Sequence, residues 1–245
     1  MQQILFEWRG FRIQSYRVMA YVGLLAGIVT GSVSASVAGL DQERAYVATI
    51  TLLVSGLIGA RLFHVAQHWQ WFRARPADWW NRSDGGMGMF GGLVVMVLVS
   101  LPVLAALDLS FAAYWDSMVF TGLVLLIWFR IGCLLHGCCA GCASQCWLAL
   151  DLPNAEGVRE RRIPTQLLEA GWCALLLFTA LAIWPALPFR GALALLGAAG
   201  YGAGRLVFQS TRERAPQDAR FTVQHGFSLV LVIVPLVALL AHWSR

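Results

Sequence analysis

The sequence predicts an all-α polytopic membrane protein with about seven transmembrane helices, and three observations carry that expectation. Hydrophobic residues make up 58% of the 245 and charged residues only 13%, whereas soluble domains are nearer half and a quarter. Mean hydropathy is +0.65. Apolar stretches near the ~20 residues that a bilayer core requires recur along the chain. This composition excludes a disordered chain, a collagen-like chain and a small disulfide scaffold. The net charge of +5 does not indicate nucleic acid, because the basic residues alternate with apolar spans and form no continuous stripe. A single transmembrane domain over 1–245 is expected.

The stretches lie at 16–38, 46–68, 86–107, 113–139, 164–187, 191–209 and 222–242. The first fifteen residues include Glu7, Arg9 and Arg12 and show no apolar core followed by a cleavage site. The first span is therefore expected to stay as an anchor. Pro102 and Pro235 fall inside the third and seventh spans, where kinks are expected. Two connections are long, at 69–85 and 140–163. The first mixes Trp69, Trp71, Trp79 and Trp80 with Arg73, Arg75 and Arg82. Indole rings and guanidinium groups suit the headgroup layer, and a plain interfacial anchor explains the tryptophans.

All 18 basic residues are arginine. A genome-wide codon bias accounts for that, and so does phosphate binding, since a guanidinium offers a planar fork that an ammonium lacks. With seven spans, the amino terminus and the even-numbered connections share the arginine-rich side, which the positive-inside rule puts in the cytoplasm.

Polar groups inside spans are expensive and mark functional candidates. Arg61, His64 and His68 close the second span, and Arg130 and His136 close the fourth. Gln166 and Glu169 open the fifth, Arg205 and Gln209 close the sixth, His225 opens the seventh, and Tyr16 opens the first. Alternating helix direction sends all of these to one membrane face. One such group is a snorkelling side chain. Three arginines with Glu169 as the carboxylate among them call for an anion, and a phosphate-bearing lipid headgroup taken from one leaflet meets that need. A transporter would instead place polar groups near the midplane, often on symmetric repeats. Glycines at 85–92 and at Gly132, Gly137 and Gly141 permit close backbone approach, although membrane-helix glycines more often serve packing.

Seven short pieces, in order along nearly the whole chain, resemble the bacterial prolipoprotein diacylglyceryl transferase family. The strongest is Phe129-Arg130-Ile131-Gly132 through His136-Gly137 to Gly141, which is similar to the family's arginine–glycine signature. Ser15-Tyr16 with Met19, Gly59-Ala60-Arg61-Leu62, and Gly85-Gly86-Met87 with Gly91-Gly92 resemble the earlier motifs. Pro164-Thr165-Gln166-Leu167-Leu168-Glu169, Gly202 to Arg212 through Arg205, and Phe227-Ser228 resemble the later ones.

The resemblance implies transfer of the diacylglyceryl group of phosphatidylglycerol to the thiol of a prolipoprotein cysteine, or of another thiol acceptor, with release of glycerol phosphate. It implies that Arg130 holds the phosphate, Arg205 assists, and Tyr16 orients the headgroup. Arg61, Gly85, Gly86, Gly132, Gly137, Gly141, Gln166, Glu169, Gln209 and His225 are the implied substrate-binding set. No cofactor is implied. The setting is the bacterial inner membrane, with the site toward the outer face and the amino terminus outside. That orientation opposes the charge count, and arginines recruited for anionic lipid would distort such a count.

Several positions depart from the family pattern. Phe90 stands where the third motif has histidine, and Cys133 and His136 replace asparagines. Cys138 replaces glutamate, Gln209 replaces an acidic residue, and His225 stands for a glutamine. The phosphate-binding residues are kept while the proton-handling ones have changed, and His136 becomes the candidate base. Cys133, Cys138, Cys139, Cys142 and Cys146 cluster within fourteen residues. Disulfides or inert packing, metal or thiol redox chemistry, and direct catalysis all remain open for them. Two rival readings accompany the transferase: a divergent member that turns its lipid site to thiol or metal chemistry, and a transporter.

Overall fold

Apolar segments in a bilayer must satisfy every backbone group internally, and helices do so. The computed structural model describes residues 4–8, 11–80, 88–153, 157–213 and 223–243. Strands β1 (Ile4–Trp8) and β2 (Phe11–Gln14) pair antiparallel and lead into α1 (Ser15–Val37). Then come α2 (Gln42–Gln67), a short α3 (Trp69–Phe72), a 3-10 turn (Pro76–Trp80) and α4 (Met89–Ala106). Helix α5 (Phe111–His136) is followed by an antiparallel hairpin of β3 (Leu150–Pro153) and β4 (Arg159–Arg162), then α6 (Thr165–Ile183), α7 (Ala192–Ser210) and α8 (Val223–Trp243).

Among the described residues, six helices are long and apolar enough to cross a membrane. The seventh expected span is α7, whose 19 residues reach about 28 Å at 1.5 Å per residue. Its glycines together with Arg205 and Gln209 make it less apolar than the others. Pro102 and Pro235 lie inside α4 and α8 without ending them. One hairpin lies in the amino-terminal stretch before the first span, and the other lies in the long connection at 140–163.

The chain divides into two compact units, Ala35–Tyr114 and Met1–Ser34 with Trp115–Arg245. In the first, α2 packs on α4 through glycines. A Cβ on Gly59 would lie 2.9 Å from the Gly91 carbonyl oxygen, and one on Gly92 would lie 2.8 Å from that of Gly56. Any larger residue would push these backbones apart. The hydroxyls of Thr49 and Tyr114 meet at 3.0 Å inside this unit.

In the other unit α5 and α7 are tied at both ends. At the start of α5, Asp116 accepts hydrogen bonds from the backbone N–H groups of Gly191 (2.6 Å) and Ala194 (2.8 Å). A carboxylate from one helix thus caps the free amides and positive end of another. Phe120, Leu193 and Ala180 pack the core beside this cap. The opposite ends of both helices carry the polar cluster described next.

Candidate functional site

Glu169 stands in the first turns of α6, with its carboxylate buried at the foot of α5 and α7. Three guanidinium groups converge on it. Arg130 contacts it through Nε, Arg205 donates from Nη1 at 3.0 Å, and Arg212 donates from Nη2 to both oxygens at 2.8 and 3.1 Å. These contacts fill the roughly four acceptor positions of a carboxylate. Three positive charges therefore face one negative charge that has no capacity left. Arg205 reaches on to the side-chain oxygens of Gln209 (3.2 Å) and Gln224 (3.4 Å). Even so, the Nε atoms of Arg205 and Arg212 are buried with no hydrogen-bond partner among the described residues.

Beside the cluster is a narrow crevice with a free volume of about 10 Å³, lined by Arg130, Glu169, Arg205, Tyr201, Trp172, Cys173, Gly204 and Phe208. It joins a cationic floor to aromatic walls. Trp172 is fixed by donating its indole N–H to the Gly200 carbonyl at 3.0 Å. Gly204 leaves room for that ring, since a Cβ there would meet it directly.

Local backbone chemistry delivers these side chains. Gly137, at φ +85°, ends α5, and its N–H and that of Cys138 both return to the Cys133 carbonyl, at 3.0 and 3.1 Å. This is the left-handed C-terminal turn that glycine favours. Cys139 follows at φ +59°, a conformation costing a non-glycine residue about 1–2 kcal/mol. Gln166 anchors the turn to α6 by donating to the Cys138 carbonyl at 2.7 Å, while its own Oε1 is buried without a partner. Gly141 bridges to Arg212 and donates to the Ile163 carbonyl at 3.2 Å. That pairing swings Arg212 back under α5. Gly132 serves packing, because a Cβ there would lie 3.0 Å from that of Met19 on α1.

Among the remaining expected residues, Tyr16 stacks edge-on against Phe129 at 5.1 Å and lies 6.1 Å from the His136 ring. The Nδ1 of His136 is buried without a hydrogen-bond partner. His225 lies in the first turn of α8, beside Gln224. Arg61 belongs to the other unit, where it donates to the carbonyls of Trp79 (2.6 Å) and Asp78 (2.9 Å) and lies over the Phe72 ring at 5.3 Å. Phe90 is buried in that unit. Gly85 and Gly86 fall outside the described residues.

Arg212, Gln224, Tyr201 and Trp172 join the site without having been singled out as site residues from the sequence. Arg212 lies beyond the end of α7, where it closed the sixth-span motif in the sequence, and the pairing with Gly141 accompanies its approach to Glu169. The disulfide alternative is corrected: all six cysteines are described, and each is a free thiol. The sulfur atoms of Cys133, Cys138 and Cys139 lie within 4.8 Å of one another, and Cys142 and Cys146 stand outside that group.

Fold and site together define a polytopic membrane protein with three arginines gathered on one buried carboxylate within one helix bundle. The family model for prolipoprotein diacylglyceryl transferase matches residues 3–241. The chain belongs to that family. A Rhodopirellula baltica protein named phosphatidylglycerol–prolipoprotein diacylglyceryl transferase is 26% identical over 163 residues, which cover 63% of this chain and 32% of that protein. A Clostridium perfringens protein with the same name, numbered 2, is 27% identical over 159 residues, 62% of this chain and 60% of its own. A Nitrobacter winogradskyi relative of that name is 29% identical over 227 residues, covering 88% and 75%. Against the first two, the chain spans less than two thirds of the relative's length.

Proposed function

We propose that the protein moves the diacylglyceryl group of phosphatidylglycerol to the thiol of a cysteine in a prolipoprotein acceptor. The observation that carries this reading is the imbalance at Glu169: three guanidinium groups, one saturated carboxylate, and buried N–H donors left over. A phosphate diester entering the crevice supplies the missing negative charge. Its acyl-bearing portion suits the Trp172 and Phe208 walls.

In the reaction the acceptor sulfur bonds to the terminal glycerol carbon of the diacylglyceryl group. The bond from that carbon to the phosphate oxygen breaks, and glycerol phosphate leaves with the electron pair. Negative charge grows on the departing phosphate, where fixed guanidinium donors lower the barrier most. Arg130 and Arg205 hold this phosphate, and Tyr16 orients the headgroup. The thiol must lose its proton to become the nucleophile. His136 is the base in this reading, its unpartnered Nδ1 being open to receive the proton and return it to the leaving phosphate. None of these steps needs a cofactor.

The protein is read as residing in the bacterial inner membrane with the site toward the outer face. A reporter fused at the carboxyl end tests the orientation, and a cytoplasmic signal supports it. The activity test is mass spectrometry of a lipobox peptide incubated with purified protein and phosphatidylglycerol. A diacylglyceryl adduct on the peptide cysteine is the expected result and shows that Phe90 is tolerated. No adduct, with an active family member run in parallel, overturns the reading.

A further inference from the structure

Three thiols that the transferase reading does not use lie together at the end of α5. The sulfur atoms of Cys133, Cys138 and Cys139 are all within 4.8 Å of one another. A metal ion bonded to sulfur at about 2.3 Å holds its thiolates about 3.8 to 4.0 Å apart, so closing the set requires shifts of at most about 1 Å. The backbone does the assembling. The left-handed turn at Gly137 and Cys139 folds residues 138 and 139 back over the last turn of α5, where Cys133 stands. Gln166 fixes that turn from α6.

We propose that these three cysteines form a trithiolate site for a soft metal ion, Cu(I) in trigonal coordination, separate from the anion site at Glu169. An all-sulfur donor set selects soft ions. The group offers three donors, which Cu(I) accepts, whereas a structural zinc site takes four. Binding releases the thiol protons and leaves two net negative charges on the copper trithiolate. Arg130, one turn before Cys133, and Arg212, bridged to Gly141, supply positive charge from either side. The thiols grade from buried Cys133 through half-buried Cys138 to exposed Cys139, giving an ion a way in from outside.

The test titrates reduced, purified protein with Cu(I) held by a chromophoric chelator, and reads stoichiometry together with X-ray absorption at the copper edge. One Cu(I) per chain with three sulfur neighbours is expected. A C133S/C138S/C139S variant loses the ion, while C142S/C146S keeps it. Because Cys139 is exposed, C139S alone must also yield copper to the chelator, and it serves if the triple variant does not fold. Copper retained by C139S, copper following Cys142 and Cys146, failure to compete with the chelator, or zinc bound in preference to copper each overturns the proposal. The readout is independent of lipid transfer, so loss of the transferase reading leaves it standing.

Discussion

Arg61 is buried, as are Arg130 and Arg205 beside Glu169, and the two places hold their arginines by different kinds of contact. Arg61 donates to two backbone carbonyls of the segment that follows its own helix and lies over an aromatic ring of that segment. Its donors pin that segment down. Arg130, Arg205 and Arg212 instead share a single carboxylate drawn from another helix. Buried charge without local compensation is expensive, so the second arrangement is stable only in proportion to what it can attract. The contrast separates an arginine that fastens a loop from arginines gathered on one carboxylate.

Substitutions at the two places test this contrast. Glu169→Gln leaves three guanidinium groups without their carboxylate, and breaking a buried ion pair costs about 3–5 kcal/mol. Thermal unfolding in detergent is expected to show a large loss, partly recovered by added glycerol phosphate. An unchanged melting temperature would dissolve the distinction. Arg130→Lys keeps the charge and loses the planar fork, and transfer to a lipobox peptide is expected to fall by about 10²–10³. His136→Ala is expected to slow transfer by about 10², whereas full turnover removes it as the base. Arg61→Met deletes two hydrogen bonds and strands the carbonyls of Asp78 and Trp79, a loss of about 1–3 kcal/mol in the same unfolding measurement.

A third, solvated environment gives the smallest effect. Cys146 is exposed, and hydrogen bonding by Ser144, more than the charge of Arg161, lowers its thiol below the ordinary value. The thiolate is the reactive form, so a lowered value means faster alkylation at neutral pH and a decline only as pH falls through that lowered value. Ser144→Ala is expected to slow alkylation a few-fold. Arg161→Gln is expected to slow it less, because exposed charge is screened.

Helix positions were legible in the sequence because hydropathy over a span sums many residues. The spans read at 113–139 and 191–209 became α5 at Phe111–His136 and α7 at Ala192–Ser210. Arg130, Glu169 and Arg205 were legible for a related reason: a charged residue in an apolar span stands out by itself. What escaped depends on contacts distant in sequence. Asp116 reads as a blemish near the start of a span, and only its bonds to Gly191 and Ala194 show it to be a cap. Arg212 closed the sixth-span motif in the sequence, but its contact with Glu169 was not legible there. The cysteine spacing allowed several pairings, and the left-handed turn decides which sulfurs meet. Gly59, Gly91 and Gly92 carried the family pattern, and in the structure they bring α2 and α4 together.

The double tie between α5 and α7 also limits how the chain can change length. The same number of residues separates Asp116 from Arg130 as separates Gly191 from Arg205, and each pair marks the two fastened levels of the bundle. Removing one residue from either helix would turn everything beyond it by about 100° and draw it in by about 1.5 Å. One level would then come undone whichever end stayed fixed. Insertions and deletions in these two segments should therefore survive only as matched pairs.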